Sequence, residues 1–199
     1  MKYLFSKLIL LVVVLFALAS CHKSIEATTE PEKEQASSFH YYRIPRGEHY
    51  SQQGIYTKVE YTELRFLVKF DSSAIYKTLN PDNQFDINKL YGFSDNDAHH
   101  HEFSARIGWR WSKEALRLFG YIYNNGIARS EEITTINIGA ENDCAIKISG
   151  DSYIFSVNGK TIIMPRTSTG PVANGYKLFP YFGGDETAPH DIHIWIKEK

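Results

Sequence analysis

From Tyr41 to the end of the chain, apolar and polar residues tend to alternate, the period-2 pattern of half-buried strands. Within 55–70, Leu64, Phe66, Val68 and Phe70 share one face. Phe103, Ala105, Ile107, Trp109 and Trp111 alternate with Ser104, Arg106, Gly108 and Arg110. Leu116, Leu118, Gly120 and Ile122 alternate with Arg117, Phe119, Tyr121 and Tyr123. Further strands are expected at 132–138, 144–149, 152–157, 160–164, 176–182 and 190–196. Turn residues separate them at Asn80-Pro81-Asp82-Asn83, Asn124-Asn125-Gly126 and Asn158-Gly159, the last a strong hairpin signal. One short segment, 72–79, reads as a helix candidate. Roughly ten short strands with frequent turns predict an all-β fold, a two-sheet antiparallel β-sandwich over 41–199.

The N-terminus has a different pattern. Lys2 and Lys7 precede an unbroken apolar run from Leu8 to Leu18, too short for a membrane span of roughly 20 residues. Residues 1–20 therefore read as a secretion signal. Leu18-Ala19-Ser20-Cys21 resembles the bacterial lipobox, in which the cysteine is lipidated and becomes the mature N-terminus. Residues 21–40 then form the lipidated Cys21 and a Ser/Thr/Glu/Lys-rich tether, too polar to order itself. The expected location is the bacterial cell envelope, lipid-anchored, periplasmic or at the cell surface, with the membrane as one partner. Lipidation of Cys21 leaves Cys144 alone, so the domain has no intramolecular disulfide and must rely on its core.

Composition narrows the partners. With Lys2 and Lys7 removed, 20 basic residues face 23 acidic ones, a mature net charge of about −3. That excludes a basic nucleic-acid footprint. Aromatics are 14% of the chain, some on predicted core faces and others (Phe119, Tyr121, Tyr123) beside arginines on the opposite face.

Those arginines carry the site argument. A hairpin at 103–123 with a four-residue loop at 112–115 would pair Trp111 with Leu116 and Ile107 with Gly120 on an apolar face. On the other face Arg110 would oppose Arg117, Arg106 would oppose Tyr121, and Ser104 would oppose Tyr123. Facing arginines repel unless an anion lies near, and guanidinium forks with aromatic rings suit an acidic sugar. The alternative is a solvated face whose arginines pair with acids elsewhere. The candidate binding residues are Arg106, Arg110, Arg117, Phe119, Tyr121, Tyr123, Tyr181, His99 and His101. In a strand His99 and His101 would share a face, a potential divalent-metal pair, but no third ligand falls at motif spacing and no metal site is expected. Asp95, Asn96 and Asp97 leave a structural calcium ion open, though the Gly and Glu of an EF-hand loop are missing. No cofactor is expected: the chain has no P-loop, dinucleotide fingerprint or Gly-x-Ser-x-Gly. Glu131-Glu132 and Asp185-Glu186 are adjacent acids and do not give a glycosidase's across-cleft pair.

The order of these strands resembles a known family. A Trp/Arg strand (103–111) is followed by an aromatic strand ending in Asn-Asn-Gly (116–126) and a Tyr-x-Phe-x-Val-Asn-Gly hairpin (153–159). Tyr176-Lys177-Leu178-Phe179-Pro180-Tyr181-Phe182-Gly183-Gly184 and a closing strand at 191–196 complete it. The layout is similar to the concanavalin A-like jelly roll of legume lectins, laminin-G-like modules, laminarinase-type glucanases and alginate-lyase-type polysaccharide lyases. The lyase branch shows Arg-x-Glu-x-Arg, Gln-Ile-His and Tyr-Phe-Lys-x-Gly-x-Tyr. Here Ile107-Gly108-Trp109 separates Arg106 from Arg110, Gln-Ile-His is absent, and Tyr181-Phe182-Gly183-Gly184 echoes the third motif in part. The Glu-x-Asp-x-x-Glu of the glucanase branch is absent as well. The resemblance implies a polysaccharide or oligosaccharide partner. Three readings follow: an anchored module that binds acidic polysaccharide, a lyase cleaving uronate glycans by β-elimination, or a non-catalytic envelope lipoprotein that binds a partner.

Overall fold

The computed structural model describes residues 38–199. The signal segment, Cys21 and the tether up to residue 37 lie outside the described residues. Twelve strands fall into two six-stranded antiparallel sheets. They are β1 (His40–Ile44), β2 (Lys58–Tyr61), β3 (Glu63–Phe70), β4 (Asn88–Ser94), β5 (Phe103–Ser112) and β6 (Ala115–Asn124). Then come β7 (Ile127–Ile136), β8 (Asn142–Ser149), β9 (Ser152–Val157), β10 (Lys160–Pro165), β11 (Ala173–Leu178) and β12 (Ile192–Glu198). One sheet runs β1-β12-β3-β8-β9-β10 and the other β2-β11-β4-β5-β6-β7, an all-β sandwich as the alternation predicts.

The helix expected over 72–79 is a single 3-10 turn, Ser72–Ala74. A second 3-10 segment, Pro81–Phe85, starts at the Asn80-Pro81 turn, where the Asn80 side chain accepts the Asp82 N–H. The β5–β6 register is the expected one, with Arg106 opposite Tyr121 and Arg110 opposite Arg117. The loop is tighter than expected, because pairing continues to Ser112 and Ala115. Two residues, Lys113 and Glu114, make the turn with positive φ, the type I′ geometry that matches strand twist.

The inner faces of both sheets meet in one core. Phe66, Val68, Phe70, Ile146, Phe155, Ile194 and Ile196 come from the first sheet. Leu90, Ile107, Trp109, Leu118 and Ile122 come from the second. Phe70 and Trp109 bridge the sheets with ring centroids 5.3 Å apart. Gly120 lets them approach: a Cβ there would come within 3.0 Å of Met164, Ile162 and Phe155 side chains. Of the aromatics expected in the core, Phe66, Phe70 and Trp109 are buried, while Phe103 and Trp111 are half-buried. Cys144 is buried, which pushes its thiol pKa up and leaves it inert.

A β-bulge in β4 decides what the second sheet presents to solvent. Lys89 pairs with Gly108 and Gly92 with Arg106, so the register slips by one residue between them. Directly paired residues share a face. The bulge therefore turns Lys89 and Gly92, three positions apart, to the same outer side. An unbulged strand would have sent one of them into the core.

Candidate functional site: a cationic, tyrosine-walled cavity on the outer sheet face

β4, β5, β6 and β11 raise a cavity of about 410 Å³ on the outer face of the second sheet, closed at one side by the 50–54 segment and the chain after β11. Arg106, Tyr121, Tyr123, Tyr181 and His101, all picked out from sequence, line it. Lys89, His100, Tyr50 and Lys177 join them. No carboxylate is among its lining residues.

Arg106 is the most buried cation of this cavity. It is only 8% exposed, and its Nε is buried without a hydrogen-bond partner. No ion pair reaches it among the described residues. Burial pulls its pKa down to about 10, and only tyrosines (Tyr121, Tyr176, Tyr123, Tyr181) offset that. Gly92, its cross-strand neighbour, makes room: a Cβ there would strike the Ala105 carbonyl and lie 2.7 Å from Arg106 Cα.

Lys89 supplies a second cation. Its Nζ donates to the Ile87 carbonyl at 2.7 Å and lies 4.6 Å from the Tyr121 ring centroid. Burial, then repulsion from Arg106, lowers its pKa to about 8. Backbone bonds between Lys89 and Tyr181, 2.8 and 2.9 Å, pin the strand after β11 against β4 and bring Tyr181 to the cavity. Tyr181 stacks on His49 at 5.2 Å, with Tyr50 edge-on at 4.9 Å. Tyr121 and Tyr123 sit 5.8 Å apart, and burial with the Tyr123 neighbour raises the Tyr121 pKa, keeping its hydroxyl protonated. Lys177 is already answered by Glu198 at 2.7 Å.

The histidines do not lie in a strand. β5 begins at Phe103, and His99-His100-His101 occupy the preceding turn, which bunches their rings at 4.2–5.1 Å instead of alternating them. His100 and His101 line the cavity, and His101 packs 5.2 Å from Tyr123. The Tyr176 hydroxyl accepts the His100 backbone N–H and lies 2.8 Å from His100 Nδ1. Burial, Arg106 and the neighbouring histidines lower the His100 pKa to about 3. Burial, His99, Arg106 and Lys89 lower that of His101.

Of the other sequence candidates, His99 sits in the turn beside His100 without lining the cavity, while Arg110, Arg117 and Phe119 lie along the same outer face, outside the cavity lining. Arg110 and Arg117 do face each other, but each has partners. Arg110 donates to the Phe85 carbonyl at 2.7 Å and stacks on Phe119. Phe119 is 4% exposed beneath it, so its ring is not free for a sugar. Arg117 pairs with Glu132 at 2.7 Å, the solvated-face alternative. The second acidic pair is structural too: Glu186 accepts the Leu79 and Asn80 N–H groups at 2.8 Å.

Lys89 and His100 were missed from sequence for separate reasons. The bulge is invisible in the pattern of β4, although a lysine inside Asn88-Lys89-Leu90-Tyr91-Gly92-Phe93 was a usable hint. His100 is excluded by strand alternation and recovered only by the turn.

No family model and no curated protein matches the sequence. Solved structures match its fold. An alginate lyase gives a TM-score of 0.55 at 9% identity, over 83% of this chain and 78% of that one. The same lyase bound to dimannuronate gives 0.53 at 8% identity, over 81% and 74%. A glycoside hydrolase family 16 endo-glucanase from Bacteroides ovatus gives 0.51 at 13% identity, over 84% and 83%. Likeness at this identity establishes the architecture alone, and with the two antiparallel sheets it makes the domain a concanavalin A-like jelly roll.

Proposed function

We propose that the outer-sheet cavity binds an acidic polysaccharide, with a uronate carboxylate on Arg106. The observation that carries this is a buried guanidinium with no anionic partner among the described residues, in a cavity walled by tyrosines. An unpaired buried cation is costly, and a ligand carboxylate would satisfy it with charge-assisted bonds. Lys89 adds a second positive group, and the tyrosine rings offer faces for pyranose stacking. The alginate lyase and glucanase of similar fold also act on polysaccharides. The lipobox at Cys21 would tether this module to the bacterial envelope.

A second reading, elimination, is favoured by His101, which lines the same cavity as Arg106. With the carboxylate neutralised by Arg106, His101 would take the proton alpha to it. The electron pair would form the C4–C5 double bond as the C4–O bond breaks, and the Tyr121 hydroxyl would protonate the departing oxygen. Hydrolysis by paired carboxylates has no support here, because none lines the cavity.

Calorimetric titration of the full chain in detergent with polymannuronate, polygalacturonate and a neutral glucan tests the proposal. Binding of a polyuronate that weakens at least tenfold in Arg106→Ala is expected. Equal binding of the neutral glucan, or an unaffected Arg106→Ala, would overturn it. Absorbance of unsaturated uronate product decides the second reading, and silence on every polyuronate removes it.

A further inference from the structure

We propose that His99, His100 and His101 form a binding site for a divalent transition metal at the edge of the cavity. One potential ligand atom from each lies within 4.8 Å of the other two. A tetrahedral site with roughly 2.1 Å bonds needs about 3.4 Å between ligand atoms. His99 and His101 are exposed side chains on a turn, and rotation about their own torsions is the motion that would bring the three atoms closer.

His100 is already oriented for the task. Tyr176 holds its Nδ1 at 2.8 Å and leaves Nε2 for an ion, the arrangement by which outer partners position ligating imidazoles. His99 Nδ1 takes a long bond from the His101 backbone N–H, 3.3 Å, which is readily exchanged for a metal bond. Three imidazoles with no carboxylate among them select zinc, copper or nickel over calcium or magnesium. Three protein ligands leave a coordination position open, as in sites that bind water or a ligand oxygen. Because His100 and His101 line the cavity, the ion would add a third positive centre beside Arg106 and Lys89. It would also occupy the His101 lone pair, so metal loading and elimination through His101 exclude each other.

Calorimetry of the full chain in detergent with zinc chloride alone, in the absence of any glycan, tests this. One equivalent is expected, with affinity at least tenfold lower in the double variant His99→Ala/His101→Ala. Tyr176→Phe, which removes the partner of His100, is expected to weaken binding by about tenfold. His40→Ala, a histidine outside the cluster, is expected to bind like the parent. Copper(II) loading followed by electron paramagnetic resonance is expected to show coupling to imidazole nitrogens. Failure to take up zinc at hundredfold excess, or uptake unchanged in the double variant, would overturn the site.

Discussion

Arg106 and Tyr121 pair directly across β5 and β6, and among the described residues no acid neutralises the Arg106 guanidinium. A buried, unpaired charge opposes folding. Arg106→Met is therefore expected to stabilise the unliganded domain by about 1–2 kcal/mol, or several degrees in melting temperature. The same variant loses polyuronate binding. Thermal unfolding with and without ligand checks both, and a lower melting temperature in the variant would mean that Arg106 is held by packing instead.

Lys89 makes the site sensitive to pH. Its folded pKa, about 8, lies below the ordinary lysine value, so the folded state gives up its proton first. Between about pH 8 and pH 10.5 the unfolded chain binds more protons, and stability from this group rises with pH. Ligand affinity goes the other way, falling as Lys89 loses its charge above pH 8. Paired titrations at pH 7 and pH 9 should show weaker polyuronate binding at the higher pH in the parent. Lys89→Met should flatten both trends.

Asp95 and Arg166 form a fully buried ion pair at 2.8 Å, and the Tyr153 hydroxyl also donates to Asp95. Arg166 further binds the Gly170 and Val172 carbonyls, fastening the 166–172 segment to the end of β4. Asp95→Ala strands the guanidinium and is expected to cost about 3–5 kcal/mol in urea unfolding. Burial alone would raise the Asp95 pKa, but bonds from Arg166, Tyr153 and the Asn96 N–H outweigh it and hold it low. That stability is present above the unfolded carboxyl value near 4 and is lost as pH falls through the depressed folded value. As pH falls below about 4, unfolding should thus show a steeper loss of stability in the parent than in Asp95→Asn.

Gly92→Ala tests how the site is built. The added methyl meets the Ala105 carbonyl and Arg106 Cα, backbone atoms that cannot swing away. The β4–β5 pairing must open at that point, with an expected cost of about 2 kcal/mol or more. Arg106 would shift with it, so polyuronate binding should fall even where the variant folds. Normal stability together with normal binding would contradict this placement.

The sandwich and the β5–β6 pairing were legible in the sequence because alternation is a local property. Inward Ile107, Trp109 and Leu118 force outward Arg106, Arg110 and Tyr121 once the chain is a strand. Which outward residues make a site is not local. Arg110 and Arg117 look like Arg106 in sequence, yet contacts from Phe85, Phe119 and Glu132, brought in by other elements, use them up. Lys89 and Gly92 share the cavity side only through a bulge, and the three histidines converge only because their turn escapes the strand period. Within the unbulged strands, sequence periodicity determined which side of the sheet each residue occupies. Tertiary packing alone decided which charges on that side stay unanswered, since a partner's position depends on strands far apart in the chain.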